Sequence, residues 1–297
     1  MFIIKTMDKE KIINLLKEVK KEIAIFEKRY QGGGVFKKIK RLLRYREEYI
    51  KYILAKLGIY RHYRHLSYFG LLNSGWREIK SIEYFIKNIK KGDVFYDIGA
   101  NEGLFSVILK EIFDDMIEIH CFEPIPRNFS ILSKNLTKRK NVFLNNFALL
   151  DYIGKIDFNI PKKELLFASS TIIEESAQKY LGEYKKITVN CSTLDEYVKT
   201  HNLPTFIKMD VEGSEYFVIS GGMNLFKNHS PQIIMEIQTG EIGMRYSLLA
   251  AKTLIDLGYS IFKIEDETGE LLKLSEVDLI KFIQESRLNE DNFLFRR

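Results

Sequence analysis

The stretch VFYDIGANEGLFSVILK, residues 94–110, decides how this chain is read. An apolar strand runs into an acidic residue, a turn with two glycines follows, and an amphipathic helix begins. In doubly wound α/β folds such a turn lies at the carboxyl end of the sheet, where ligands bind. Outward from it, IEIHCF (117–122), VFLNNFA (142–148), FIKMDV (206–211) and QIIMEI (232–237) are further near-continuous apolar runs. Runs of that kind suit strands covered on both faces. Between them, LFSVILKEIF (104–113) and RNFSILSKNL (127–136) have helical periodicity. The alternation predicts a parallel sheet with right-handed crossovers. Residues 154–160 and 187–190 read as an inserted hairpin, and the tail after residue 260 as further strands with an antiparallel edge.

The turn chemistry selects the ligand. Gly99 and Gly103 are spaced G-x-x-x-G, unlike the G-x-G-x-x-G of dinucleotide binders. Asp97 would repel a pyrophosphate but welcome the ammonium of an amino acid, which points to S-adenosylmethionine rather than NAD. Ala100 and Asn101 in the turn and Phe105 at the helix start complete this part of the expected donor site. Glu123 ends the second strand, and Pro124 stops that strand. A carboxylate there can accept hydrogen bonds from both ribose hydroxyls of a nucleoside. Asn146 and Ala148, at the end of the third run, fall where the adenine edge is expected, although Asn146 serves equally well as a turn residue.

DIGANEG (97–103), FEP (122–124), STLDEYV (192–198), IKMDVEGSE (207–215) and IIMEI (233–237) together resemble the FkbM-family methyltransferases, in order and in spacing. The resemblance runs from about residue 75 to about residue 260. It implies a class I methyltransferase domain, Rossmann-like, with a doubly wound seven-stranded sheet. It also implies S-adenosylmethionine as donor, with transfer to a hydroxyl of a sugar or other hydroxylated metabolite. A nucleotide-sugar or glycan precursor for a bacterial surface polysaccharide is the acceptor expected on this basis.

Methyl transfer from a sulfonium is an in-line displacement, and a sugar hydroxyl must lose its proton to accept the methyl. A positioned base assists that step. Asp210 and Glu236, at the ends of adjacent strands, are the catalytic candidates; Asp210 also borders the donor site. Glu212 is a third catalytic candidate or a cap of the helix that follows, and Glu215 a weaker one. There is no His-x-x-x-His pair or cysteine cluster for zinc. A hard cation between Asp210 and Glu236 would be reasonable chemistry, but no metal is assigned.

The 297 residues are enough for one α/β domain and an extra element. Residues 1–92 carry 23 Lys and Arg against 9 Asp and Glu, a net +14, while the rest of the chain is at −8. The division expected is a basic helical extension over 1–75 and a methyltransferase domain over 76–297. Ile12, Leu15, Leu16, Val19, Ile23 and Phe26 mark an amphipathic helix, Gly32–Gly33–Gly34 a break, and 35–58 a basic helix. Arg41, Arg44, Arg46, Arg61 and Arg64 alternate with tyrosines there, a pattern that can grip an anionic surface, although a solvated face is the plainer reading. His62 and His65 follow in an aromatic stretch. The first helix could pair with its own copy in a homo-oligomer. One alternative is an RNA methyltransferase using the basic region, but the acidic pocket floor and the missing Asp/Asn-Pro-Pro-Tyr/Phe argue against nucleic acid. Another is a binding module that has kept the donor pocket without turnover. Cys121 and Cys191 are expected as buried free thiols, and without a signal peptide or membrane span the expected location is the cytoplasm.

Overall fold

The structure is a computed structural model that describes residues 76–136, 139–162, 170–239, 241–265, 268–285 and 290–297, with residues 10, 13 and 14. Apart from those three residues, the expected N-terminal helices, the triple glycine, His62 and His65 lie outside the described residues. The first element described in full is helix α1, Trp76–Asn88. Strand β1 is Val94–Ile98, buried at all five positions, and helix α2 is Leu104–Phe113. Strand β2 (Glu118–Phe122), helix α3 (Pro126–Leu136) and strand β3 (Val142–Asn145) complete the first half.

A small second sheet follows, in the order β4-β6-β5, from β4 (Ala148–Leu149), β5 (Gly154–Pro161) and β6 (Tyr184–Ser192). β5 and β6 pair antiparallel over eight residue pairs, the inserted hairpin expected from the sequence. The run 142–148 is two strands in two sheets rather than one. Asn145 still pairs with Phe122, but Ala148 pairs with Cys191. A short helix α4 (Glu174–Ser176) lies between β5 and β6.

The second half of the main sheet contains α5 (Leu194–Tyr197), β7 (Phe206–Met209), α6 (Glu215–Ser220), α7 (Met223–Asn228), β8 (Gln232–Gln238) and α8 (Glu241–Asp256). It closes with β9 (Ser260–Ile264), β10 (Leu271–Leu274), α9 (Glu276–Glu285) and β11 (Glu290–Arg296). The strand order is β10-β9-β11-β8-β7-β1-β2-β3. The five central and early strands pair parallel, whereas β11 pairs antiparallel with both β8 and β9. The sheet therefore has eight strands where seven were expected. The additional strand is β10, which folds back antiparallel on β9 at the far edge and leaves the centre unchanged.

Apolar cores cover both faces of this sheet. One joins α1, α2 and α3 to Phe95, Ile119 and Phe206; the other joins α6, α7 and α8 to Tyr96, Ile207, Met209 and Met235. Successive strand residues point to opposite faces, which is why VFYDI and QIIMEI read as unbroken apolar runs. Phe85 fixes α1 to its face by edge-on contacts with Phe95 at 5.0 Å, Phe105 at 6.1 Å and Phe206 at 6.1 Å. Cys121 and Cys191 are buried free thiols, as expected. Among the described residues no helix is long and apolar enough to cross a membrane.

Candidate active site

Two turns lie side by side at the carboxyl ends of β1 and β7. The first needs three left-handed residues: Gly99 (φ 79°), Asn101 (φ 52°) and Gly103 (φ 93°). Glycine populates that region freely, and asparagine is among the few other residues that visit it readily. At Gly99 a side chain is excluded outright, because a Cβ would lie 1.8 Å from the carbonyl oxygen of Asp210. At Gly103 it would lie 2.6 Å from Leu132 Cδ1, which lets α2 start against α3. The turn is tied to β2 by the N–H groups of Gly99 and Ala100, which donate to the Phe122 carbonyl at 3.0 and 2.9 Å.

Glu123 fastens the turn itself. Its Oε2 accepts the Asn101 N–H at 2.8 Å, and its Oε1 accepts the Ile125 N–H at 2.8 Å. Burial pushes this carboxyl up to about 7, against the pull of those N–H donors and of Asn128. Asn101, Ile125 and Asn128 leave one lone-pair site of the carboxylate free, so the group can still accept from the ribose. The donor set thus fits a nucleoside. Asp97 lies deeper, only 1% exposed. Its Oδ2 accepts from Ser106 Oγ at 2.5 Å, and Cys121 Sγ donates to the same Ser106 Oγ at 3.1 Å. Burial raises Asp97, while Lys208 and the Ser106 hydroxyl oppose the rise. Pro124 and Asn146 meet at the rim, where Asn146 Nδ2 donates to the carbonyls of Glu123 at 2.8 Å and Pro124 at 3.2 Å. The Phe105 side chain is turned into the core, beneath the Lys208 ammonium.

The second turn, Asp210–Glu215, repeats the plan of the first. Glu212 (φ 53°) and Gly213 (φ 91°) are left-handed. Glu215, fully buried, takes the role that Glu123 has in the first turn. Its Oε1 accepts the Gly213 N–H at 3.3 Å and the Val211 N–H at 3.4 Å, and burial pushes it up to about 7. Ser247 Oγ approaches its other oxygen at 3.5 Å. Glu212 does not cap α6 with its side chain; its Oε2 accepts from Gln238 Nε2 at 3.2 Å, and its carbonyl accepts from Thr171 Oγ1 at 3.0 Å.

Beside this turn the structure brings together Glu78 of α1, Asp210 and Glu236, with one oxygen of each within 4.8 Å of the others. Glu236 is 4% exposed, and burial raises it well above the ordinary carboxylate range, helped by the charges of Asp210 and Glu212. Lys208 Nζ lies 2.5 Å from Asp210 Oδ2. Sequence reasoning missed Glu78 and Lys208. Lys208 carried a signal, a lysine inside the apolar strand run FIKM and two residues before Asp210, hence on the same strand face. Glu78 carried none, because α1 reaches the site only through tertiary contacts. Among these are the buried pair Lys80–Asp291 at 2.8 Å and Asn292 Nδ2 donating to Ser81 Oγ at 3.1 Å.

The sequence family represented by the Methyltransferase FkbM domain matches residues 97–261, more than half of the chain and both turns. The chain belongs to the FkbM methyltransferase family. Its methyl donor is S-adenosylmethionine. It is 27% identical over 176 residues to the 2-O-methyltransferase NoeI of Sinorhizobium fredii, covering 52% of this chain and 70% of NoeI. Over 162 residues it is 25% identical to the hexuronic acid methyltransferase AglP of Haloferax volcanii, covering 54% of this chain and 62% of AglP. Among solved structures it is similar to the methyltransferase FkbM of Methylobacillus flagellatus KT, with a TM-score of 0.46 and 14% identity, covering 73% of this chain and 48% of that one. The chain therefore spans less than two thirds of two of these three relatives.

Proposed function

We propose that this FkbM methyltransferase moves the methyl of S-adenosylmethionine to a hydroxyl of a sugar, in a nucleotide-sugar or glycan precursor of a bacterial surface polysaccharide. The observation that carries the reading is the contact of the two turns. Gly99 of the donor turn lies directly against the backbone of Asp210, so the donor and a carboxylate share one corner of the sheet. The names of NoeI and AglP support a hydroxylated sugar as acceptor.

The roles divide as follows. Glu123 accepts the ribose hydroxyls, and the 97–103 turn, through Asp97, Gly99, Ala100, Asn101 and Gly103, receives the amino-acid end of the donor. At the acceptor, the hydroxyl oxygen bonds to the methyl carbon as the carbon–sulfur bond breaks, and the hydroxyl proton passes to a carboxylate. Asp210 is the base. Glu236, which burial holds well above the ordinary carboxylate range, lies beside Asp210 on the acceptor side. Glu212, held by Gln238, lines the acceptor side.

Calorimetric titration with S-adenosylhomocysteine, with NAD and ATP as controls, tests the donor half. Binding of S-adenosylhomocysteine alone is expected, and a nucleotide-sugar panel then tests the acceptor half. Methylation of an RNA substrate with no methylation of any sugar would overturn the acceptor assignment.

A further inference from the structure

β7 reads Phe206-Ile207-Lys208-Met209, and all four residues are buried in the middle of the sheet. A lysine does not enter such a strand for packing, since removing an ammonium from water costs several kcal/mol unless partners are placed around it. Lys208 is 3% exposed, and its surroundings are acidic. Its Nζ lies 2.5 Å from Asp210 Oδ2 and 5.1 Å above the Phe105 ring. Burial pulls the ammonium down, but the carboxylates of Asp210, Glu78, Asp97 and Glu236 outweigh it and hold Lys208 above its ordinary range.

These four carboxylates come from four parts of the fold. Asp97 belongs to β1 and the donor turn, Asp210 follows β7, Glu236 belongs to β8, and Glu78 comes from α1. Glu78, Asp210 and Glu236 are close enough together to share one cation. A cation is already there, on a side chain anchored in the central strand. A lysine on a rigid strand also restricts Asp210 more firmly than a solvent-exchangeable ion would.

We propose that Lys208 is a positioning residue whose ammonium is the resident cation of the Glu78–Asp210–Glu236 cluster, aiming the Asp210 carboxylate at the acceptor hydroxyl and filling the place of a divalent ion. The proposal rests on the reading of Asp210 as the base of the transfer. It differs from a structural ion pair in one consequence, which is that removing the ammonium leaves a cation vacancy.

The experiment is a Mn²⁺ titration of the full chain, wild type and Lys208→Met, followed by electron paramagnetic resonance of the free ion, with S-adenosylhomocysteine affinity measured on the same samples. Manganese suits the test because it accepts carboxylate ligands. Wild type is expected to bind no Mn²⁺ below about 1 mM, the weak end of carboxylate cation sites. Lys208→Met is expected to bind it at least about tenfold more tightly than wild type while still binding S-adenosylhomocysteine. Should Lys208→Met not fold, Lys208→Gln, which keeps a polar head against Asp210, takes its place. Mn²⁺ binding by wild type that Glu236→Gln removes would overturn the proposal in favour of a metal site. A folded Lys208 variant that takes up no Mn²⁺ overturns it too, and reduces Lys208 to a structural pair. Loss of S-adenosylhomocysteine binding by wild type itself refutes the donor reading instead, so the two failures are distinguishable.

Discussion

The turns after β1 and β7 are built alike and set in different surroundings. Each places a non-glycine residue in the left-handed region within two residues of a left-handed glycine, Asn101 between Gly99 and Gly103 in one and Glu212 before Gly213 in the other. Each is pinned by a buried carboxylate that accepts backbone N–H groups, Glu123 in the first and Glu215 in the second, and burial pushes both to about 7. The difference lies in what surrounds them. The first turn is a backbone cradle whose carboxylate meets only uncharged donors, Asn101, Ile125 and Asn128. The second borders a knot of charge, with Lys208 among Asp210, Glu236 and Glu78. A shape that can hold a nucleoside is made from dihedral angles and N–H groups, whereas a place for proton transfer needs charges kept out of water. Left-handed positions of this kind cost about 1–3 kcal/mol each when a side chain must be accommodated, and they persist where the surroundings over-determine them.

The comparison breaks most sharply at the glycines. Gly99→Ala puts a methyl against a backbone oxygen that cannot rotate away, at a φ of 79°. It is expected to cost about 3 kcal/mol or more in urea unfolding and to abolish S-adenosylhomocysteine binding. Gly213→Ala meets the ends of Ile173 and Gln238 at 3.0 and 3.3 Å, both side chains able to move. It should cost about 1–2 kcal/mol and leave donor affinity within about threefold. Equal losses from the two variants would mean that the contact between the turns does not matter.

Next come the two carboxylates with different expected tasks. With a sugar acceptor in hand, Asp210→Asn is expected to lower kcat about 10²–10⁴-fold with donor affinity nearly unchanged, as for loss of a general base. Glu123→Ala should do the reverse, weakening S-adenosylhomocysteine about 30-fold or more through the lost charge-assisted hydrogen bonding to the ribose. Glu123→Ala with unchanged affinity would remove the ribose assignment.

The first turn was more legible in the sequence than the second, for a physical reason. Its work is done by residues adjacent in sequence, and Asp97, Gly99, Asn101 and Gly103 announce a strand, a left-handed turn and a helix within seven positions. Asp210 and Glu236 were visible because parallel strands bring their carboxyl ends to one edge. Glu78 was invisible, since tertiary contacts such as the Lys80–Asp291 pair and the packing of Phe85 deliver α1 to that corner. Glu215 read as a weaker catalytic candidate rather than the pin of its own turn, and its burial follows from how α6 and α8 close over it, which no local pattern encodes. The split at 146–147 went unseen for a similar reason, because β4 is set by pairing with a strand more than forty residues away, whereas β10 lies in the tail that reads as further strands and only the expected count of seven left it out.

The smallest effect separates the twin carboxylates by pH. A carboxyl whose folded value is about 7 and whose ordinary value is 4.5 keeps its proton in the folded chain while the unfolded chain ionises. Its contribution to stability is complete below pH 4.5, is lost as pH rises through about 7, and is level above that. Both groups should therefore make the protein less stable at pH 8 than at pH 5, by an amount on the order of 3 kcal/mol each. Glu215→Gln should flatten that fall in Tm. Only Glu123 should also be read by the donor, because ribose hydroxyls donate to its ionised form. Affinity for S-adenosylhomocysteine is then expected to rise up to about tenfold between pH 6 and pH 8 in wild type, and to rise equally in Glu215→Gln. If Glu215→Gln abolished the pH dependence of donor affinity, the two turns would be one coupled unit, and the division between a donor turn and an acceptor turn would have to be given up.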